Sequence, residues 1–427
     1  DVYVKKAYEQ NADIKLVLET HRNEDYVVGS LEIADIMDVE IYHGPGLDWE
    51  YGNTLKHGQV LEVGGLRVHA LHTPGHTDES MSYAVYDTIT DTGDDPVLVF
   101  TGDALFVGDV GRIDMYGFDE RERMARNLYD SLFNKILPLG DQAILCPAHG
   151  AGSVCGAGIS DREDSTIGLE RKHNPILQMT EEEDFVEYKI KEHHYFLPYF
   201  RKMEEYNLKG APLLKNVRRY KPMDPKQFNE QIKQGGIVLD TRNPDSFGAA
   251  HVQGSYSIWL EGLPSFAGWV LPYDTPLLLV VKDFKNLSDA HEHLLRIGYD
   301  NIAGYLIGGI KSWYSHDLPV ENNGLLTATE LKERIDNDVP TLVLDVRGVN
   351  ERANGFIEGS KHVYVGELSE KLDDLPKDKA IATVCGNGSR ASLATSILVK
   401  NGFKEVYTVL GSMKAWNASG YPIVKEN

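Results

Sequence analysis

The sequence is poor in cysteine, in positive charge and in long apolar runs. Three cysteines, Cys146, Cys155 and Cys385, occur in 427 residues. At most one disulfide could close, with one thiol left over. A disulfide framework is therefore excluded, and a reducing compartment, the cytoplasm, is the simpler expectation. Lys and Arg number 43 against 65 Asp and Glu, a formal charge of −22. Such a chain repels phosphate backbones and anionic lipid, which argues against nucleic acid or a membrane surface as partner. No apolar stretch reaches spanning length, so no transmembrane helix is expected. The chain starts at Asp1 without a methionine, which leaves targeting open.

What is present is ordinary globular composition, 42% hydrophobic and 25% charged, at a length that suits two to four domains. Residues 12–150 alternate short apolar segments with turns. Lys15–Glu19, Leu66–Leu71, Val97–Phe100 and Ala143–Leu145 read as strands, and Tyr26–Met37 and Glu120–Phe133 as helices. Residues 163–210 read as broken helix, and Asn207–Pro222 as a linker. The remainder is an internal repeat. Ile237–Arg242 matches Leu342–Arg347, and Gly308–Trp313 matches Gly411–Trp416, at separations of 105 and 103 residues. That period is a domain length, and each unit predicts a parallel sheet covered by helices on both faces.

Each of the four amino-terminal strands leads into a potential metal ligand. The first runs into Thr20-His21-Arg22-Asn23-Glu24-Asp25-Tyr26 and the second into Thr73-Pro74-Gly75-His76-Thr77. The third runs into Thr101-Gly102-Asp103 and the fourth into Cys146-Pro147-Ala148-His149-Gly150. Ligands at the ends of strands on one sheet edge can converge on a point, with Gly75 and Gly102 allowing tight turns beside them.

This ordered set resembles the metallo-β-lactamase superfamily. The resemblance covers residues 12 to about 178 and implies an αββα sandwich. The superfamily's first motif, His-x-His-x-Asp-His, is altered here: Asn23 stands at the second histidine and Tyr26 at the third. His21, His76 and Asp103 remain, and two imidazoles with one carboxylate are the facial set that holds non-haem Fe(II) with open positions. The chain is accordingly similar to the persulfide dioxygenase branch. That implies one Fe(II) per chain, with Zn as the alternative, and implies a low-molecular-weight persulfide and O₂ as substrates. Arg112, in Gly111-Arg112-Ile113-Asp114, would help seat the thiol carrier, and Asp114 would pair with it. Asp25, Tyr26 and His149 are either neighbours that orient ligands or remnants of a second metal site. Cys155 lies in a Ser-x-Cys-Gly element similar to one in fused dioxygenase–rhodanese proteins, where a thiol could relay sulfur. Relatives carry extra strands ahead of the first motif, so part of that sheet is expected to lie outside this numbering.

In the second repeat, the strand Ala380–Val384 runs into Cys385-Gly386-Asn387-Gly388-Ser389-Arg390 and then into a helix. Gly386 and Gly388 let backbone N–H groups turn inward. With the helix N-terminus they form a nest that stabilises a thiolate or persulfide on Cys385, and Arg390 adds a fixed cation. This loop resembles the rhodanese motif Cys-x-x-Gly-x-Arg, and the resemblance covers nearly all of 325–427. It implies sulfur transfer between persulfide, sulfite and thiosulfate. The first repeat has Val281-Lys282-Asp283-Phe284-Lys285-Asn286 at the equivalent place and no cysteine in 222–320, so covalent sulfur carriage there is excluded.

The expected organisation is a metallo-β-lactamase-fold domain over 1–215, a rhodanese-like domain without catalytic cysteine over 221–320, and a rhodanese domain over 325–427. The expected activity is persulfide dioxygenase coupled to sulfurtransferase, in a homo-oligomer such as a dimer. Two alternatives stand beside it: a zinc thioester hydrolase of glyoxalase II type, and a sulfur-carrier scaffold with a dead metal site.

Overall fold

The computed structural model describes residues 2–90, 95–153, 155–156, 158–217 and 219–425. The chain divides into two compact units, Asp1–Lys215 and Asn216–Asn427. No helix among the described residues is long and apolar enough to cross a membrane.

The first unit is built on two sheets. Leu16–Leu18, Glu40–His43 and Asn53–Thr54 form a small parallel sheet. Val60–Val63, Leu66–His72, Met81–Asp87, Leu98–Gly102 and Ile144–Pro147 form the second. Its first three pairings are antiparallel and the last is parallel. Strand periodicity explains how they face each other. Val68, Ala70, Tyr83 and Val85 share one side of the larger sheet and pack with Leu18 and Tyr42 of the smaller one. The opposite face carries a larger core, in which Val99 and Leu145 meet Met124, Leu128 and Leu132 and also Phe185 and Val186. These last five belong to Arg121–Asp130, its π-helical continuation Ser131–Ile136, and the helix Glu182–Lys191.

Two local expectations change. The helix expected over Tyr26–Met37 runs over Ser30–Met37, because Asn23 Oδ1 accepts the backbone N–H groups of Asp25 and Tyr26 and turns the chain there. The ligand-bearing strands also do not share one sheet edge. His21 follows a strand of the small sheet, whereas His76, Asp103 and His149 follow strands of the large one. Convergence comes from the sandwich, not from a single edge.

The second unit contains two copies of one parallel sheet. The first has the order Tyr256–Ser257, Ile237–Asp240, Leu277–Val280, Ile302–Leu306, Lys221–Met223. The second has Lys361–His362, Thr341–Asp345, Ala380–Val384, Val406–Val409, Gly324–Leu326. The central strands are buried at every residue, as helices on both faces require. Between the copies, Ser257 meets Ser392 Oγ at 2.8 Å and its N–H donates to Ser396 Oγ at 3.1 Å. Lys400 Nζ donates to Gly254 O at 2.8 Å.

Candidate metal centre and sulfur-transfer loop

The metal pocket is assembled by tight turns. Gly102 has φ +52°, and a Cβ there would stand 2.7 Å from Thr20 Cβ. Gly75 has φ +146°, and a Cβ there would stand 2.4 Å from Leu128 Cα. Only glycine satisfies both the dihedral and the close approach. The first-motif loop is held from the far side by Asn207, whose amide donates to Asn23 O and Tyr26 O and accepts from Val28 N–H.

These turns bring His21, His76 and Asp103 together with Glu24, which the sequence reading did not single out. One ligand atom of each lies within 4.8 Å of the others, and all four residues are buried. His21 Nε2 is 3.9 Å and His76 Nε2 3.7 Å from Asp103. Glu24 approaches His76 Nε2 to 2.8 Å and His21 Nε2 to 3.6 Å. The remaining ring nitrogens are engaged: His76 Nδ1 with Arg112 O at 3.0 Å and His21 Nδ1 with Thr20 Oγ1 at 3.0 Å. Both rings therefore turn Nε2 inward. His21 Nε2, His76 Nε2, Glu24 Oε2 and both Asp103 carboxylate oxygens are buried and make no hydrogen bond of good geometry, short as the His76–Glu24 approach is. Buried lone pairs left unsatisfied in such number fit a cation at their centre. The titration pattern has the same origin. Burial alone would lower the His76 pKa, but the carboxylates of Glu24 and Asp103 push it up to about 10. Burial would raise Asp103, and His149 and His21 hold it below the usual carboxylate range.

A second group adjoins the first. Asp25, His149 and Cys155 also place ligand atoms within 4.8 Å of one another. His149 Nε2 lies 3.5 Å from Asp25 and 3.3 Å from Asp103. Burial would lower His149, but Asp103 and Asp25 raise it to about 9. Burial raises Asp25 to about 6 against the pull of His149. Tyr26 stands edge-on to His149, with ring centroids 5.9 Å apart.

Cys155 is fully buried. Its thiol donates to Glu24 Oε1 at 3.2 Å and faces Asp25 Oδ2 at 3.6 Å. Burial and three carboxylates push its pKa up, so a thiolate is disfavoured in this environment. The Arg112 guanidinium is buried, donates twice to Asp114 at 2.7 Å and once to Tyr195 O, and stacks on Phe200. The pairing with Asp114 is the one the sequence suggests, and the Arg112 backbone carbonyl also meets the centre through His76 Nδ1.

In the second unit, Cys385 ends the buried strand Ala380–Val384, and Ser389–Lys400 begins the next helix. The thiol sulfur accepts the Gly388 N–H at 3.1 Å, with Gly388 at φ +108°. Asn387 Oδ1 accepts the Ser389 N–H at 3.1 Å. From behind, Met413 N–H donates to Cys385 O and Lys414 N–H to Gly386 O, so the Gly411–Trp416 motif closes the loop. Arg390 forms a bidentate pair with Glu351 at 2.5 and 2.6 Å, and a Cβ on Gly386 would lie 3.3 Å from its guanidinium. The sequence reading did not find Glu351, because it lies 39 residues from Arg390 and meets it only through the sheet.

The rhodanese-like domain family matches residues 224–316 and 327–419. A putative sulfurtransferase of Bacillus subtilis is 35% identical over 97 residues, which cover 23% of this chain and 93% of the relative. The hydroxyacylglutathione hydrolase GloC of Haemophilus influenzae is 25% identical, with 41% and 81% covered. A crystal structure described as a metallo-β-lactamase from Staphylococcus aureus aligns at TM-score 0.63 with 28% identity, over 71% of this chain and 88% of that one. Against uncharacterized mycobacterial proteins, 36% identical over 121 residues, the chain spans 45% of the relative's length. Together with the paired sheets and the two repeats, these likenesses place the chain among fusions of a metallo-β-lactamase-fold domain with two rhodanese-like domains.

Proposed function

We propose that the chain is a non-haem iron persulfide dioxygenase coupled to a sulfurtransferase. The observation that carries the first half is the buried set His21, His76 and Asp103, whose donor atoms converge within 4.8 Å and make no hydrogen bond of good geometry. Two imidazoles and a carboxylate suit Fe(II) with open positions. Iron held by His21, His76 and Asp103 would activate O₂ and offer a site for the terminal sulfur of a low-molecular-weight persulfide, and that sulfur supplies the electrons. The net reaction is RSSH + O₂ + H₂O → RSH + H₂SO₃, with the S–S bond broken and the outer sulfur oxidised. The chain's part is to hold both rings by Thr20 Oγ1 and Arg112 O and to keep the pocket buried.

The second half rests on Cys385. A persulfide on this residue gains the Gly388 N–H as a donor, and Arg390 with Glu351 borders the loop. The transfer balances as Cys–S–S⁻ + SO₃²⁻ → Cys–S⁻ + S₂O₃²⁻, so one site's product is the other's substrate.

A test is metal analysis of anaerobically purified protein, followed by O₂ uptake and sulfite release on glutathione persulfide. The expected result is one Fe(II) per chain, with turnover abolished by His76→Ala. Two zinc ions per chain with thioester hydrolysis would overturn this reading in favour of a hydrolase, which the neighbouring group Asp25, His149 and Cys155 keeps in view.

A further inference from the structure

Glu24 is the least expected member of the pocket. It occupies a variable position of the first motif, between Asn23 and Asp25, and nothing in its spacing marks it as a ligand. Its placement has a local cause. Asn23 stands where the superfamily pattern has histidine, and its side chain turns away from the pocket to accept the Asp25 and Tyr26 N–H groups. The same turn carries the Glu24 carboxylate inward, to 1% exposure.

Once there, its oxygens lie 2.8 Å from His76 Nε2 and 3.6 Å from His21 Nε2, and Oε2 has no hydrogen-bond donor. Donor atoms bound to one ion at roughly 2.0–2.2 Å stand about 3–3.5 Å from their neighbours. Glu24's separations straddle that spacing. A second buried carboxylate beside Asp103 is costly unless positive charge offsets it, and a divalent cation among the four donors does so completely.

We propose that Glu24 is a fourth protein ligand of the metal, so that two imidazoles and two carboxylates hold it. The proposal rests on the dioxygenase reading for the identity of the ion, not for the existence of the site. Two consequences follow. The protein ligands neutralise a divalent ion. A six-coordinate ion keeps two open positions instead of three, one for a single sulfur atom and one for O₂. The centre then takes a persulfide through one atom and has no position for a chelating substrate.

The test uses the full chain loaded with Co(II), read by its visible absorption spectrum and by competition with a chelator. Glu24→Gln keeps the shape and removes the charge, and Glu24→Asp withdraws the carboxylate by one methylene. We expect Glu24→Gln to alter the Co(II) spectrum and to weaken Co(II) binding by at least about 10–100-fold, the loss typical of removing even an indirect contact. Glu24→Asp should fall between. A Co(II) spectrum identical to wild type in both variants overturns the proposal whatever happens to affinity, because replacing a direct ligand must change the ligand field of the ion. Near-UV circular dichroism and the unfolding midpoint of the full chain report that each variant has folded, because Cys385-dependent sulfur transfer, housed in the other unit, reads that unit alone. Failure of the dioxygenase reading looks different: wild type would bind Co(II) with the Glu24-dependent spectrum yet oxidise no persulfide when loaded with iron.

Discussion

The two repeats of the second unit have the same sheet order, and much the same set of structural bonds, yet only one carries a nucleophile. In the first, Arg242 forks to Asp240 and donates to Ala250 O; in the second, Arg347 forks to Asp345 and donates to Gly355 O. Trp313 donates to Pro319 O, and Trp416 to Pro422 O. The copies part at the strand-to-helix loop. In the second, the Cys385 sulfur accepts an N–H of its own loop. In the first, the Asp283 side chain accepts the Asn286 N–H and caps the helix Phe284–Arg296. A helix N-terminus attracts an anion in either case. One repeat satisfies it permanently with its own carboxylate, and the other leaves it for a sulfur that can change partners. The first repeat keeps a structural use, because Ser257 and Gly254 contact the helix that follows the Cys385 loop.

The sharpest way to break this comparison is Cys385→Ser. It should abolish sulfur transfer, measured as thiosulfate formed from sulfite and a persulfide donor, since the first repeat has no thiol to substitute. Transfer that survives would mean that another thiol, Cys155 or Cys146, carries sulfur. Next in size are the equivalent tryptophans. Trp313→Ala and Trp416→Ala should each lower stability by about 3–5 kcal/mol in urea unfolding, from lost packing and a hydrogen bond. If Trp313→Ala left the unfolding midpoint unmoved, the first repeat would not be a cooperative part of the unit. Smallest is Asp283→Ala, which removes a helix cap and should cost about 1 kcal/mol with sulfur transfer unchanged. A loss of transfer in that variant would show the first repeat acting on the chemistry and not only on the packing.

Legibility in the sequence followed how local each feature is. The Cys385 loop could be read because strand, glycines, cysteine and helix are contiguous, and the Gly388 N–H that meets the sulfur is three residues away. His76 and Asp103 could be read because each follows an apolar strand through a glycine turn. The repeat could be read because 105 residues separate two nearly identical buried strands. Glu24 was not legible: a carboxylate among Arg22, Asn23 and Asp25 looks like a solvated turn until the sandwich closes over it. The state of Arg112 was also hidden, because its partner Tyr195 and the ring of Phe200 lie more than 80 residues away.

By itself the sequence determined the repeat, the strands that lead into the ligands and the chemical types at each turn, because hydrophobic periodicity and backbone dihedrals act over a few residues. Tertiary structure alone decided which polar groups share a buried pocket. Two sheets had to face each other before His21 and Glu24 could meet His76 and Asp103. Burial then turned four ordinary side chains into a donor set that fits a cation.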